Sequence, residues 1–415
     1  MFSAVVGRAI KCTAPVQHAH RSIRLASTAV EPEVLVERQG DVAFVTLNRP
    51  KALNALTTNM IRIMTKELVQ LNSSPDVGLV VLRGAGGKAF CAGGDIKVLS
   101  SGKDGSPEAR AAQEAFFREE YMLDHLIARS SSLKPYVSLL DGVVMGGGFG
   151  VSIGAKMRIA TDKTVFAMPE TGIGLFPDVG GSYYLPRLPK GLGMYLALTG
   201  NRINGAATTL AGLTTHYVPD SKYSAVQDEL GSCRSADNVM ELLQSSAVTG
   251  KALADAAADA DTVQHRQLIQ RAFTHNSVED IMSELVAASR DTFDEDGAAW
   301  AGKQAKTLSR VSPTSLAVTF AAQQAGKGLS LEQAFEQEFS AALTFMRGTD
   351  FYEGVRALLV DKDRNPKWQP DSISAVQHAD VRKYFSLPEG VEPLKLFGLR
   401  DMVDLSGVQD NVPRM

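Results

Sequence analysis

Two glycine-rich stretches and the carboxylates beside them could carry chemistry in this chain. One runs Lys88-Ala-Phe-Cys-Ala-Gly-Gly-Asp-Ile96. The other runs Met145-Gly-Gly-Gly-Phe-Gly150 and is followed by Met168-Pro-Glu-Thr-Gly-Ile-Gly-Leu-Phe-Pro-Asp-Val-Gly-Gly181. Each glycine cluster follows an apolar, strand-like run and opens a helix-like one. Such junctions leave backbone N–H groups unpaired and pointing outward. Two of them brought together could hold an oxyanion. Glu170 and Asp178 then supply carboxylates for general-base or nucleophilic work. Amide donors and paired carboxylates together suit attack on an acyl carbonyl such as a thioester.

Other residues imitate sites. Gly150-Val-Ser152-Ile-Gly154 matches the G-x-S-x-G elbow of serine hydrolases. The elbow needs its serine at the strand-to-helix turn. Here the turn falls on Gly146 to Gly148, so Ser152 lies about a turn into the helix. His216, His265 and His275 have no distinguishing context, and the seven histidines show no metal-ligand pairing. Cys91, inside the first motif, reads as a buried small hydrophobe rather than a nucleophile. Gly148, Gly150 and Gly154 lack the spacing of a dinucleotide loop. Asp95 could cap the following helix as easily as touch a ligand. Arg49, Lys51 and Lys97 are candidates for phosphate contacts, though each taken singly reads more readily as a solvated charge.

Composition narrows the class. The chain has 415 residues, 44% hydrophobic and 21% charged, as in ordinary globular proteins. A formal net charge of -3 argues against a general nucleic-acid binder. Three widely spaced cysteines indicate neither a disulfide framework nor a zinc knuckle. No apolar run approaches the ~18 residues of a membrane span. Residues 1–30 carry Arg8, Lys11, Arg21 and Arg24, are rich in Ser and Ala, and hold no acidic residue. That is the composition of a mitochondrial transit peptide.

The motifs must sit on a scaffold. Val34 to Glu37 and Val42 to Leu47 read as a hairpin. Thr57 to Asn72 is a helix with Met60, Ile61, Met64, Leu68 and Leu71 on one side. Gly78 to Arg83 is a buried strand, and 107–130 is a helix. Pro135 to Leu140 is a strand, followed by the glycine cluster and a helix through Ala155. Met157 to Ala160 and Thr164 to Ala167 are two more strands. From about Ser221 the chain is helix-rich, with Ser312 capping one helix and Leu331 to Met346 forming another. The resulting expectation is an α/β chain of recurring ββα units: a core over 31–220, a helical region over 221–370 and an irregular tail over 371–415.

These motifs resemble those of the crotonase (enoyl-CoA hydratase/isomerase) superfamily, and within it the 3-hydroxyisobutyryl-CoA hydrolase branch. Leu47-Asn-Arg-Pro50 and Leu53-Asn-Ala-Leu56 look like the superfamily's CoA-entry loop. Phe116-Phe-Arg-Glu-Glu-Tyr-Met-Leu123, the run from Met168 to Gly181, Met346 to Arg356, and Asp361 to Trp368 resemble the hydrolase branch. The resemblance implies a crotonase-like ββα superhelix. It places the oxyanion donors on Ala92 and Gly147 and the central carboxylate at Glu170. Asp178 would orient or activate water, and Glu120 would bind the substrate's 3-hydroxyl or tune the Glu170–Asp178 dyad. Hydratases of the superfamily carry a second glutamate at the position of Gly150, which has no proton-transfer group. The implied activity is thioester hydrolysis of 3-hydroxyisobutyryl-CoA in valine breakdown, in the mitochondrial matrix, with CoA as part of the substrate and no metal or other cofactor. A homo-oligomer, and recruitment to the mitochondrial small ribosomal subunit, are both compatible with the resemblance.

Overall fold

The computed structural model describes residues 31–396. The basic leader expected at 1–30 lies outside the described residues, as does 397–415. Strands β1 (Val34–Gln39) and β2 (Val42–Leu47) form the expected hairpin, with Val34 opposite Leu47 and Gln39 opposite Val42. Helix α1 (Thr58–Ser73) buries Met60, Ile61, Met64, Leu68 and Leu71, and the Thr57 hydroxyl accepts the Met60 N–H at its start.

The chain then repeats a strand pair followed by helix. Strands β3 (Leu79–Gly84) and β4 (Ala89–Cys91) lead to α2 (Ile96–Ser100) and α3 (Pro107–Ser130). Strands β5 (Tyr136–Leu140) and β6 (Val143–Met145) lead to α4 (Gly147–Ile153). Strands β7 (Met157–Ala160) and β8 (Val165–Ala167) follow, and later β9 (Ile203–Asn204) and β10 (His216–Tyr217). In the pairs β3/β4, β5/β6 and β7/β8 the first strand joins a six-stranded sheet in the order β1-β2-β3-β5-β7-β10 and the second a four-stranded sheet in the order β4-β6-β8-β9, with β9 and β10 closing the four- and six-stranded sheets respectively. Neighbouring repeats pair in parallel, β3 with β5 and β5 with β7, β4 with β6 and β6 with β8. This winding is the expected superhelix. It stacks the ends of β4 and β6, where the two glycine clusters begin.

The six-stranded sheet is covered on both faces, which explains its unbroken apolar runs. Val45, Val80 and Leu82 face one core cluster. Phe44, Val81, Leu139 and Ile159 face a second, closed by Val226, Leu230 and Leu243 from the helical region. The first cluster continues into Phe335, Phe339, Phe345 and Phe351, so late helices share a core with Phe117 and Tyr121 of α3. Among the described residues no helix is long and apolar enough to cross a membrane.

Candidate active site

The first glycine cluster leaves β4 as an irregular turn paired to the segment before α1. Leu56 N–H donates to the Gly93 carbonyl at 2.8 Å, and Asp95 N–H to the Leu56 carbonyl at 2.8 Å. Ala92 N–H donates to the Leu53 carbonyl at 3.0 Å. The placement of an oxyanion donor on Ala92 is therefore corrected, because that N–H is already engaged. Gly94 lies between the two anchored residues, and among the described residues its N–H donates to no carbonyl. Its nitrogen lies 3.3 Å from where a Cβ on Gly147 would stand.

Gly147 is the first residue of α4, so its own N–H has no intrahelical acceptor. Glycine is required around it for close approach. A Cβ on Gly148 would fall 2.2 Å from the Cys91 carbonyl oxygen, and one on Gly147 would fall 2.4 Å from Glu120 Oε1. Both are distances that real Cβ atoms do not reach. The amides of Gly94 and Gly147 thus stand side by side over the middle of α3, at Phe116 and Glu120.

Three carboxyls meet these amides. Glu120 projects from α3, and its Oε1 has no hydrogen-bond partner. Glu170 opens a single 3₁₀ turn, Glu170–Ile173, and a Cβ on Gly146 would fall 2.9 Å from its Oε1. Asp178 follows on the loop before a short helix, Gly181–Tyr184, and its Oδ2 accepts the Tyr121 hydroxyl at 2.7 Å. Gly94, Gly147, Glu120, Glu170 and Asp178 all line one cavity of about 70 Å³, with Phe116, Phe117 and Phe351 among its apolar walls. Ala92 lines it as well, but with its N–H engaged elsewhere.

Burial sets the protonation of this cluster. It pushes Glu120 well above the usual carboxylate range, and the neighbouring Asp178 and Glu170 push it further. Glu170 is raised for the same first reason and by Asp178. Burial raises Asp178 only to about 6, because the Tyr121 hydroxyl and its own N–H favour the charged form. The cavity thus combines carboxyls that keep their protons with one that releases its proton near neutrality, the division that acid and base roles need.

The imitations resolve. The Ser152 hydroxyl donates to the carbonyls of Gly148 (2.8 Å) and Phe149 (3.0 Å) inside α4, so it is no nucleophile elbow. Burial pushes the Cys91 thiol up to about 12, as suits a core residue. Arg49 is paired with Glu33 at 3.2 Å and with Asp95 at 3.1 Å, which removes both Arg49 and Asp95 as free ligand groups. Lys51 is exposed, and the Lys97 side chain lies outside the described residues. Gly174 has φ +71°, and a Cβ there would fall 2.3 Å from the Asp350 backbone. It serves packing between the site loop and a late helix.

Two groups were not found by reading the sequence. Asp124, one turn beyond Glu120 on α3, is buried with neither carboxylate oxygen hydrogen-bonded. Glu338, from the helix Leu331–Phe345, accepts hydrogen bonds from the loop after Asp178. The signal for Asp124 was its i+4 spacing from Glu120. Glu338 sits 160 residues from Asp178, and only folding brings them together.

The sequence matches the enoyl-CoA hydratase/isomerase family over residues 42–385. The chain belongs to that family. Among solved structures, a carnitinyl-CoA dehydratase from Mycobacterium thermoresistibile is 36% identical with a TM-score of 0.78, covering 88% of this chain and 99% of that one. An enoyl-CoA hydratase from Rhodobacter sphaeroides is 32% identical with a TM-score of 0.74, covering 88% and 100%. By sequence, the family member is 44% identical to a mitochondrial 3-hydroxyisobutyryl-CoA hydrolase of Danio rerio, over 87% of this chain and 91% of the relative. It is 43% identical to the one of Dictyostelium discoideum, over 89% and 95%.

Proposed function

We propose that the chain hydrolyses the thioester of 3-hydroxyisobutyryl-CoA, releasing 3-hydroxyisobutyrate and CoA, as a mitochondrial enzyme of valine breakdown working in the matrix. The observation that carries the reading is the convergence of Glu120, Glu170 and Asp178 on one small cavity beside the amides of Gly94 and Gly147. The names of the full-length relatives at 42–44% identity support the choice of substrate.

The thioester carbonyl oxygen sits between the N–H groups of Gly94 and Gly147, which hold the charge that develops on it. Glu170 acts at the carbonyl carbon in its ionised form, which burial makes the minor one, either attacking it directly or drawing a proton from the attacking water. The C–S bond breaks, and the leaving thiolate takes a proton from a carboxyl that burial keeps protonated. Asp178, held by Tyr121, orients and activates the water. Glu120, over Gly147, receives the 3-hydroxyl of the acyl group. The cavity of about 70 Å³ suits a short acyl group; the rest of CoA lies outside it. These residues act without a resident metal or redox cofactor, since every proton and electron pair comes from water, substrate or carboxyl.

The test is thiol release over a panel of acyl-CoAs. The reading expects 3-hydroxyisobutyryl-CoA to be preferred over its analogue lacking the 3-hydroxyl. Equal rates on the two, or no thiol release from either, would overturn it.

A further inference from the structure

We propose that Glu338 is a positioning residue for Asp178: it fixes the backbone that follows Asp178 and so aims that carboxylate at the reacting carbonyl. The inference rests on the hydrolase reading above, in which Asp178 acts on water.

The loop after Asp178 is unusual. Val179 has φ +51°, a left-handed conformation that a β-branched residue adopts only when its surroundings impose it. Gly180 follows at φ +85°, and Gly181 opens the short helix. Val179 is buried, and a Cβ on Gly150 would fall 2.7 Å from its Cβ, so α4 blocks the loop from one side. Left alone, such a loop would relax toward ordinary φ and turn Asp178 away.

Glu338 opposes that relaxation. Its Oε2 accepts the Gly180 N–H at 2.7 Å. Its Oε1 accepts the Ser182 N–H at 2.8 Å and the Ser182 hydroxyl at 2.6 Å. Three donors thus converge on one fully buried carboxyl, and two of them are N–H groups that the start of the short helix leaves unpaired. Gln323 adds a bond from its side-chain amide to the Gly181 carbonyl at 3.1 Å.

The same helix also steadies the second hold on Asp178. Phe335 and Phe339, one turn apart on the same helix, pack against the Tyr121 ring, with centroids 5.7 and 6.5 Å away. The Tyr121 hydroxyl bonds the Asp178 carboxylate. Glu332, a turn and a half earlier, pairs with Arg129 and, at 3.0 Å, with His125, docking the helix on α3. Backbone and side chain of Asp178 are therefore held from one late helix, which does not itself line the cavity.

The experiment is a double-mutant cycle read by thiol release. Glu338→Gln keeps size but replaces one acceptor oxygen by a donor that confronts the loop's N–H groups. In the otherwise native enzyme it is expected to lower kcat by about a hundredfold, the scale of an ångström-sized misplacement, with KM within about threefold. In an Asp178→Asn background it should change kcat by less than about twofold, because the group it positions is gone. Ser182→Ala, which removes one donor of three, should give a smaller kcat loss and serves where Glu338→Gln fails to fold. Full activity in Glu338→Gln, or an equal loss with and without Asp178, would overturn the inference. Wild-type thiol release from 3-hydroxyisobutyryl-CoA reports separately on the hydrolase reading.

Discussion

Asp124 occupies the space that a side chain at Gly150 would need. A Cβ on Gly150 would fall 2.5 Å from Asp124 Oδ2 and 2.8 Å from its Cγ. The position from which superfamily hydratases project a second glutamate is thus closed by a carboxyl from α3, which does not line the cavity.

A hydratase needs one group to deliver water and another to protonate the α-carbon. With Gly150 bare and Asp124 behind it, hydration of crotonyl-CoA is expected to be negligible beside thioester hydrolysis. Loss of the enoyl absorbance on adding enzyme, at a rate comparable to thiol release, would refute this.

Asp124 also shapes the stability of the fold against pH. Burial pushes its carboxyl well above the usual range, with Glu120, Asp178 and Glu338 adding to the shift. Glu120 and Glu170 are raised as well. Across a window that opens in the ordinary carboxylate range and extends upward, the native chain therefore holds protons that the unfolded chain has released. Stability is fully present below that window and falls as pH rises through it. Asp124→Asn has no hydrogen bonds to lose, so it should flatten the fall and raise Tm at pH 8 by roughly a few degrees. A thermal-melt series from pH 5 to 8.5 on both proteins checks the sign.

Tyr121→Phe removes the 2.7 Å bond that favours the charged form of Asp178. Asp178 should then hold its proton above its present value of about 6. The acid limb of the kcat/KM profile should move up by about one pH unit, the worth of a hydrogen bond to a charged group. An unmoved limb would show that Asp178 does not set it.

Glu170→Gln and Asp178→Asn should each lower kcat by at least about a hundredfold, a typical general-base loss, with KM changed far less. Near-normal hydrolysis by either folded variant would remove that residue from the mechanism.

Gly147→Val should cost about a hundred- to a thousandfold in turnover, because it displaces the proposed oxyanion donor and strikes Glu120 and Leu56. Ala92→Val, with its N–H directed at Leu53, should cost far less. Circular dichroism must first establish that both fold. Comparable losses in the two would return the donor to Ala92.

The sequence by itself determined the local parts: the hairpin, α1, the long strands, and the glycine junctions with Glu170 and Asp178 nearby. These follow from apolar periodicity and from turn chemistry, which act over a few residues. The resemblance of the motifs supplied the superhelix. The short strands β4 and β6 were legible only as apolar runs ahead of the glycines; their parallel pairing, which stacks the two glycine clusters, is a contact between distant segments. Choosing Gly94 over Ala92 needed the pairing with Leu53 and Leu56, about 40 residues earlier, since an N–H is free only when nothing else in the fold takes it. The exposure of a carboxyl, its like-charged neighbours, and the reach of Glu338 to the loop after Asp178 are properties of contact across the chain. Tertiary structure alone decided them, because proton affinity and aim depend on what surrounds a group in space and not on what precedes it in sequence.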